Sequence, residues 1–173
     1  MCCFFGGCIE TRIRVLGPAD WEAVRSIYLE GIATGQATFE TEAPTWERWD
    51  GAHLPSPRLI ATAGETIVGW AALSPVSRRP VYAGVAEVSV YVNRDVRGRG
   101  VGSLLLKALV TESEKSGIWT LQASIFPENL ASISLHHSCG FAEVGKRQRI
   151  GKMNGVWRDT VLFERRSRLV GND

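Results

Sequence analysis

Apolar and polar positions change period several times along this chain, and the changes mark its elements. Thr11 to Leu16 reads as a short strand closed by Gly17-Pro18. Asp20 stands where a helix N-cap belongs. Trp21, Val24, Ile27, Tyr28 and Ile32 then recur at helical spacing. Gly31 to Pro44 is polar and without clear period, and a short helix is expected around Trp46 to Trp49. Arg58 to Ala63 and Thr66 to Ser74 read as antiparallel strands joined by a Gly64-Glu65 turn. A loop from Pro75 to Gly84 follows. In Ala86 to Val92, Val88, Val90 and Val92 alternate with Glu87, Ser89 and Tyr91, a strand pattern.

A glycine-rich turn then leads into a helix carrying Leu104, Leu105, Ala108 and Leu109, with Gly117 as its C-terminal stop. Ile118 to Ile125 is a further strand. Pro127-Glu128-Asn129 opens a helix from Leu130 to Cys139, closed by Gly140. Two last strands flank Asn154-Gly155, a strong hairpin signal. This order defines an α/β chain, a mixed sheet with helices on both faces.

Length and composition narrow the picture. At 173 residues, 45% of them apolar, one domain spanning 9–166 is expected, with a disordered leader at 1–8 and a tail at 167–173. A net charge of +2 argues against a general nucleic-acid binder. No apolar run approaches the roughly 18 residues of a membrane span. Cys2, Cys3 and Cys8 crowd the start and Cys139 stands alone, which is no disulfide framework. No nearby fourth ligand completes a metal site. The start has no basic segment before Phe4-Phe5 and no export pattern, so a cytoplasmic protein is expected.

The segment Arg97-Gly98-Arg99-Gly100-Val101-Gly102-Ser103 joins the valine-rich strand to its helix. Glycines let backbone approach a ligand and adopt positive φ. The first helical amides lack internal partners, and with the helix dipole they form a pyrophosphate cradle. Arg97 and Arg99 add charge-assisted contacts. A Walker loop would end Gly-Lys-Ser/Thr, and a dinucleotide fingerprint would read Gly-x-Gly-x-x-Gly. Neither is present; a plain glycine-rich turn is the other reading.

Arg97-x-x-Gly100-x-Gly102 after this strand resembles the acetyl-CoA signature of the GNAT N-acetyltransferase superfamily. The segment from Asn129 to His136 and the pair Gly140-Phe141 resemble its second half. Within that superfamily the chain is most similar to phosphinothricin and methionine sulfoximine acetyltransferases, over about Ile13 to Glu164. Ala86 to Val92 and Gly155-Val156-Trp157-Arg158-Asp159 support this. The resemblance implies the GNAT fold, a mixed, mostly antiparallel sheet with splayed central strands. It also implies acetyl-CoA as donor, a small amine as acceptor and a homodimer. Val90, Tyr91 and Val92 would offer main-chain groups to the pantetheine arm, and Gly98 to Ser103, Val101 included, would hold the pyrophosphate. Asn129 would contact the cofactor near its reactive end.

Glu87 matches the family's catalytic carboxylate. From the residues alone it is either a solvent-facing strand residue or, lying among valines, a base with a raised pKa. His136 occupies a position where many members carry tyrosine, which the resemblance places among the cofactor-binding residues, and reads either as the acid that protonates the leaving thiolate or as an ordinary helix histidine. Arg78, Arg79 and Tyr82 precede the catalytic strand, in a loop the resemblance assigns to substrate binding, with Glu87, Val88 and Ser89 beside it. Arginine suits an acidic substrate group, though two solvated loop arginines are the simpler reading. Arg158 departs from the resembled enzymes, which can carry histidine there, so the exact substrate stays open. The six tryptophans read as core and dimer surface. An acetyltransferase for a peptide N-terminus or polyamine is the second reading. A non-catalytic acyl-CoA sensor is the third, and it has no use for a base at Glu87.

Overall fold

The computed structural model describes residues 10–172, so the expectations for 1–8, including Cys2, Cys3 and Cys8, lie outside it. The strands are β1 (Thr11–Val15), β2 (Arg58–Ala63), β3 (Thr66–Pro75), β4 (Val85–Val92), β5 (Thr120–Ile125), β6 (Ala142–Met153) and β7 (Val156–Arg166). The helices are α1 (Trp21–Ala33), α2 (Trp46–Ala52), α3 (Val101–Lys115) and α4 (Leu130–Ser138). One sheet takes all seven strands in the order β1-β2-β3-β4-β5-β7-β6. Only β4 and β5 run parallel; every other neighbouring pair is antiparallel. The expected α/β architecture is present.

Local chemistry fixes most boundaries. Asn154 and Gly155 turn the β6–β7 hairpin at φ 49° and 80°, both positive as a type I′ turn requires. Gly117, at φ 78°, ends α3 with the Ile118 amide bonded back to Ser113 O. Asn129 caps α4 through Oδ1, which accepts from Ser132 N at 3.1 Å. Asp20 does not cap α1 as expected. It has helical φ and ψ, and its carboxylate is taken by both terminal nitrogens of Arg14, at 2.7 and 2.8 Å. It also accepts from Gly17 N, so it braces the turn before the helix. Strand β6 carries two register shifts, one around Arg149 at φ 51°, whose amide donates to Asp159 Oδ1. Ser167 is buried, donating to Glu114 Oε1 and accepting from the amides of Leu169 and Val170, so the start of the expected tail is tied down.

Each sheet face has its own core. On one, Leu105, Leu106 and Leu109 of α3 and Ile133 and Leu135 of α4 pack over Ala71, Leu73, Ala86 and Val88. On the other, α1 and α2 bring Val24, Ile27, Tyr28 and Trp49 against Ile60, Trp70 and Ala72. Four of the six tryptophans, Trp21, Trp46, Trp49 and Trp70, form one ring-to-ring cluster there. Burying such rings is the main favourable term for this face.

Gly84 pins the start of the parallel pair. Its carbonyl accepts from the amides of Trp119 and Thr120 at 2.8 and 3.0 Å. A Cβ there would lie 2.0 Å from the Trp119 ring. Gly84→Ala must therefore displace the indole, an overpacking cost of roughly 1–3 kcal/mol. A melting temperature lower by several degrees is expected in thermal unfolding, and an unchanged one would show that the indole moves freely.

Candidate active site

The site begins where β4 and β5 part. They pair through Val85↔Thr120, Ala86↔Leu121 and Glu87↔Gln122, and no further. Strand β4 stays bound to β3 along its whole length, up to Gly69↔Val92. Strand β5 stays bound to β7 through Ile125↔Val161. The two strands are thus held from outside while a gap opens between them. On the β5 side Val88 to Val92 have no strand partner among the described residues, though β3 pairs with all five on the other side. An open strand edge is a template for an extended ligand with amide groups.

Alternation sorts the β4 side chains. Ala86 and Val88 are buried, and Val90 and Val92 pack against the α3 core. Glu87, Ser89 and Tyr91 point to the α1 side. Tyr91 is stacked on Trp70 (4.7 Å, 14°) and edge-on to Tyr28 (4.8 Å). Burial drives its phenol far above the ordinary tyrosine range, so its side chain is a fixed core group, and as the partner of Trp70 in the antiparallel ladder its main chain faces β3 rather than the gap. Glu87 is half-buried and belongs to the last paired rung, at the apex of the fork. Its carboxylate makes no hydrogen bond or ion pair among the described residues.

The cradle lies at the other end of β4. Gly98 and Gly100 have φ of 75° and 84°, and both offer open space where a Cβ would stand. Gly100 is the N-cap of α3, and the Leu104 amide makes the first intrahelical bond to its carbonyl. The amides of Val101, Gly102 and Ser103 precede that bond and are free for an anion. Gly102 has no positive φ. It is small because a Cβ would lie 3.2 Å from Leu135 and 3.6 Å from Val92, where α4 crosses. Arg97 donates from Nε to Val92 O at 3.1 Å, bending the loop back onto the strand, while its terminal nitrogens are unused among the described residues. Arg99 is exposed. These donors and the open β4 edge fit a pyrophosphate joined to an amide-containing arm. No group of three or more His, Cys, Asp or Glu among the described residues is arranged to hold a metal ion, and no helix among them is long and apolar enough to cross a membrane.

Other expected site residues are placed differently. His136 is 5% exposed and packs edge-on to Phe141 at 5.0 Å. Its Nδ1 donates to Ser132 O at 2.8 Å, and Nε2 is buried without a partner. Burial lowers its pKa. With its Nδ1 proton engaged and its ring packed, its placement favours the ordinary helix histidine of the two readings. Asn129 uses its Oδ1 as the α4 cap and its Nδ2 to hold Gln36 O at 3.1 Å. Arg78 and Arg79 are exposed in the β3–β4 loop, and Arg79 lies over the Tyr82 ring at 5.6 Å. That loop joins β4 near Glu87, since Ser74 pairs with Glu87, but no contact links either arginine to Glu87.

Fold and site define a coenzyme A-dependent acyltransferase, and the chain belongs to the acetyltransferase (GNAT) family, whose pattern matches residues 21–141. It is 35% identical over 160 residues to the phosphinothricin N-acetyltransferase of Alcaligenes faecalis, covering 88% of this chain and 81% of that one. It is 33% identical over 163 residues to an L-methionine sulfoximine/L-methionine sulfone acetyltransferase of Pseudomonas paraeruginosa, covering 90% and 94%. Among solved structures, a GNAT superfamily phosphinothricin acetyltransferase from Sinorhizobium meliloti, in complex with AcCoA, matches with TM-score 0.80 at 26% identity, covering 94% of this chain and 96% of that one. The protein is an N-acetyltransferase with acetyl-CoA as its acetyl donor.

The glycine geometry gives a graded test. Gly100→Val imposes a branched side chain on φ 84° and fills the space before the free amides. Coenzyme A affinity measured by calorimetry should fall about a hundredfold or more, the scale of losing one or two charge-assisted contacts, in a protein that still folds. Wild-type affinity in a folded Gly100→Val variant would remove the cradle from the α3 N-terminus.

Proposed function

We propose that this enzyme acetylates the primary amine of a small amino-acid-like substrate, of the phosphinothricin or methionine sulfoximine type, with Glu87 as general base. The observation that carries the reading is the place of Glu87 on the last rung before β4 and β5 diverge. A thioester held along the open β4 edge would have its carbonyl near that apex. The acceptor amine arrives as an ammonium, which has no lone pair for attack. Glu87 takes its proton, directly or through one water. The neutral amine then attacks the thioester carbonyl, and an unpaired amide of Val88 to Val92 stabilises the oxyanion. Thiolate departs as the attacking nitrogen gives up its surplus proton to solvent and the amide forms. With His136 buried, solvent is the simplest source of the thiolate's proton.

The similarity to phosphinothricin and methionine sulfoximine acetyltransferases supports an amine beside an acidic group. Arg78 or Arg79 would pair with that acid. One charge-assisted hydrogen bond contributes roughly 1.5–3 kcal/mol and orients the amine as well. Tyr82 and Ser89 would complete the acceptor wall, with Val88, whose side chain is buried under α3, contributing main chain only. The chain is also proposed to act as a homodimer. Ile150, Val156 and Trp157 on the β6–β7 hairpin are 51%, 61% and 56% exposed, an apolar patch suited to a second copy. Acetyl-CoA use fits a cytoplasmic enzyme.

A thiol-release assay tests the reading over amino acids, their sulfoximine, sulfone and phosphinate analogues, decarboxylated counterparts and peptide N-termini. Acidic amino-acid analogues should react best. Equal turnover of decarboxylated amines, with no effect of Arg78→Ala or Arg79→Ala, would overturn the acid-recognition site. Glu87→Gln should lower kcat about a hundredfold or more with coenzyme A binding intact, the scale of losing a general base; near-wild-type rates across pH would exclude Glu87. Light scattering at micromolar protein should give the dimer mass, and a monomer mass would refute that assembly.

A further inference from the structure

The connection from α1 to α2 carries Thr38 and Phe39 and has no regular structure, yet it is fastened at both ends of its crossing. It leaves α1 beside β4, where a Cβ on Gly31 would lie 2.6 Å from the Tyr91 ring. It is then caught on the far side of the fork. Gly35 O accepts from Arg158 Nη1 of β7 at 3.1 Å. The next carbonyl, Gln36 O, accepts from Asn129 Nδ2 at 3.1 Å. Phe39 sits edge-on to Phe126 at 4.8 Å and so close to β6 that a Cβ on Gly151 would lie 2.6 Å from its ring. The segment therefore bridges the gap between β4 and β5 on the face that carries Glu87 and Ser89.

Arg158 makes one of these ties while held by two further contacts of its own. Its guanidinium lies 4.1 Å over the Phe126 ring, its Nη2 pairs with Glu128 at 3.2 Å, and its side chain is 17% exposed. The planar fork reaches a carbonyl and a carboxylate at once while stacking on an aromatic face, which a lysine cannot do.

We propose that Arg158 is a positioning residue for the amine acceptor: it latches the α1–α2 connection across the fork, so that the acceptor wall is formed before substrate arrives. This rests on the proposed amine acetylation at Glu87. Ordering about ten residues in advance removes an entropic cost otherwise met on acceptor binding. The donor pyrophosphate is assigned to the α3 cradle, and none of these ties involves Gly98 to Ser103, so the latch is expected to act on the acceptor.

The test compares Arg158→Ala, Arg158→Lys and Phe39→Ala in the full chain. Hydrogen exchange over residues 34–42 should quicken about tenfold or more in Arg158→Ala, as expected when a local tie is released, with β4 and α3 unchanged. The amine KM should rise about tenfold, kcat fall less than about threefold, and coenzyme A affinity stay within about twofold, the signature of lost acceptor pre-organisation. Arg158→Lys should resemble Arg158→Ala, and the Arg158→Ala/Phe39→Ala pair should be less than additive. Unchanged exchange over 34–42, or coenzyme A affinity falling as far as the amine KM rises, would overturn the proposal. Should no amine release thiol with the wild-type enzyme, the reading of the function fails, and the exchange comparison alone decides the latch.

Discussion

Three rungs of parallel pairing between β4 and β5 are the constraint on which the rest of this structure depends. A parallel pair that ran on to Val92 would satisfy the backbone and leave no site. The chain prevents this from both flanks. Strand β3 holds β4 along its length and β7 holds β5, so each follows its own antiparallel partner. Gly84 and the Trp119 indole pin the shared start. Unpaired backbone is costly when buried, and a bound amide-bearing ligand relieves that cost where no strand can. The proposed functional edge is thus left unfinished inside the sheet, between two strands that are each paired on their outer side.

The two faces of β4 divide the work. Its valines anchor the α3 core and so keep the cradle at the helix N-terminus aligned with the strand. The alternate residues run from Glu87 through Ser89 to Tyr91, which is locked between Trp70 and Tyr28. The aromatic cluster under α1 and α2 therefore does more than fill space. It sets the height of α1 above β4, and with it the point from which the connection carrying Phe39 sets out across the fork. In the proposed reading the donor lies along the open edge of this strand and the acceptor reaches it from the Glu87 face, so the register of the strand relates them.

Much of this was legible in the sequence because it is local. The Asn154-Gly155 turn, the Gly117 stop, the helix opening at Asn129 and the glycine-rich turn before α3 each depend on a few neighbouring residues with one favoured conformation. Alternation in Val88 to Val92 identified the strand, and the family resemblance anticipated its splay. The rest depends on distant partners. Asp20 looked like a cap, but Arg14 claims its carboxylate across a turn. Gly102 read as a glycine of the pyrophosphate cradle, and Leu135 approaching from another helix is a second reason for it to be small. His136 stood on a short helix whose spacing gave no sign that Phe141 and Phe163 would enclose it. The ties of Arg158 to Gly35 and of Asn129 to Gln36 span 123 and 93 residues, beyond any periodic signal.

The central claim is that the open edge of β4 receives the donor while Glu87 stands at its closed end. Residue-resolved hydrogen exchange, with and without coenzyme A, tests it most directly. Amides within Val88 to Val92 and those of Val101 to Ser103 should slow together, by about tenfold or more where a ligand bond replaces water, while β1 and β2 stay unchanged. Protection confined to the α3 N-terminus, with Val88 to Val92 exchanging as before, would contradict the account.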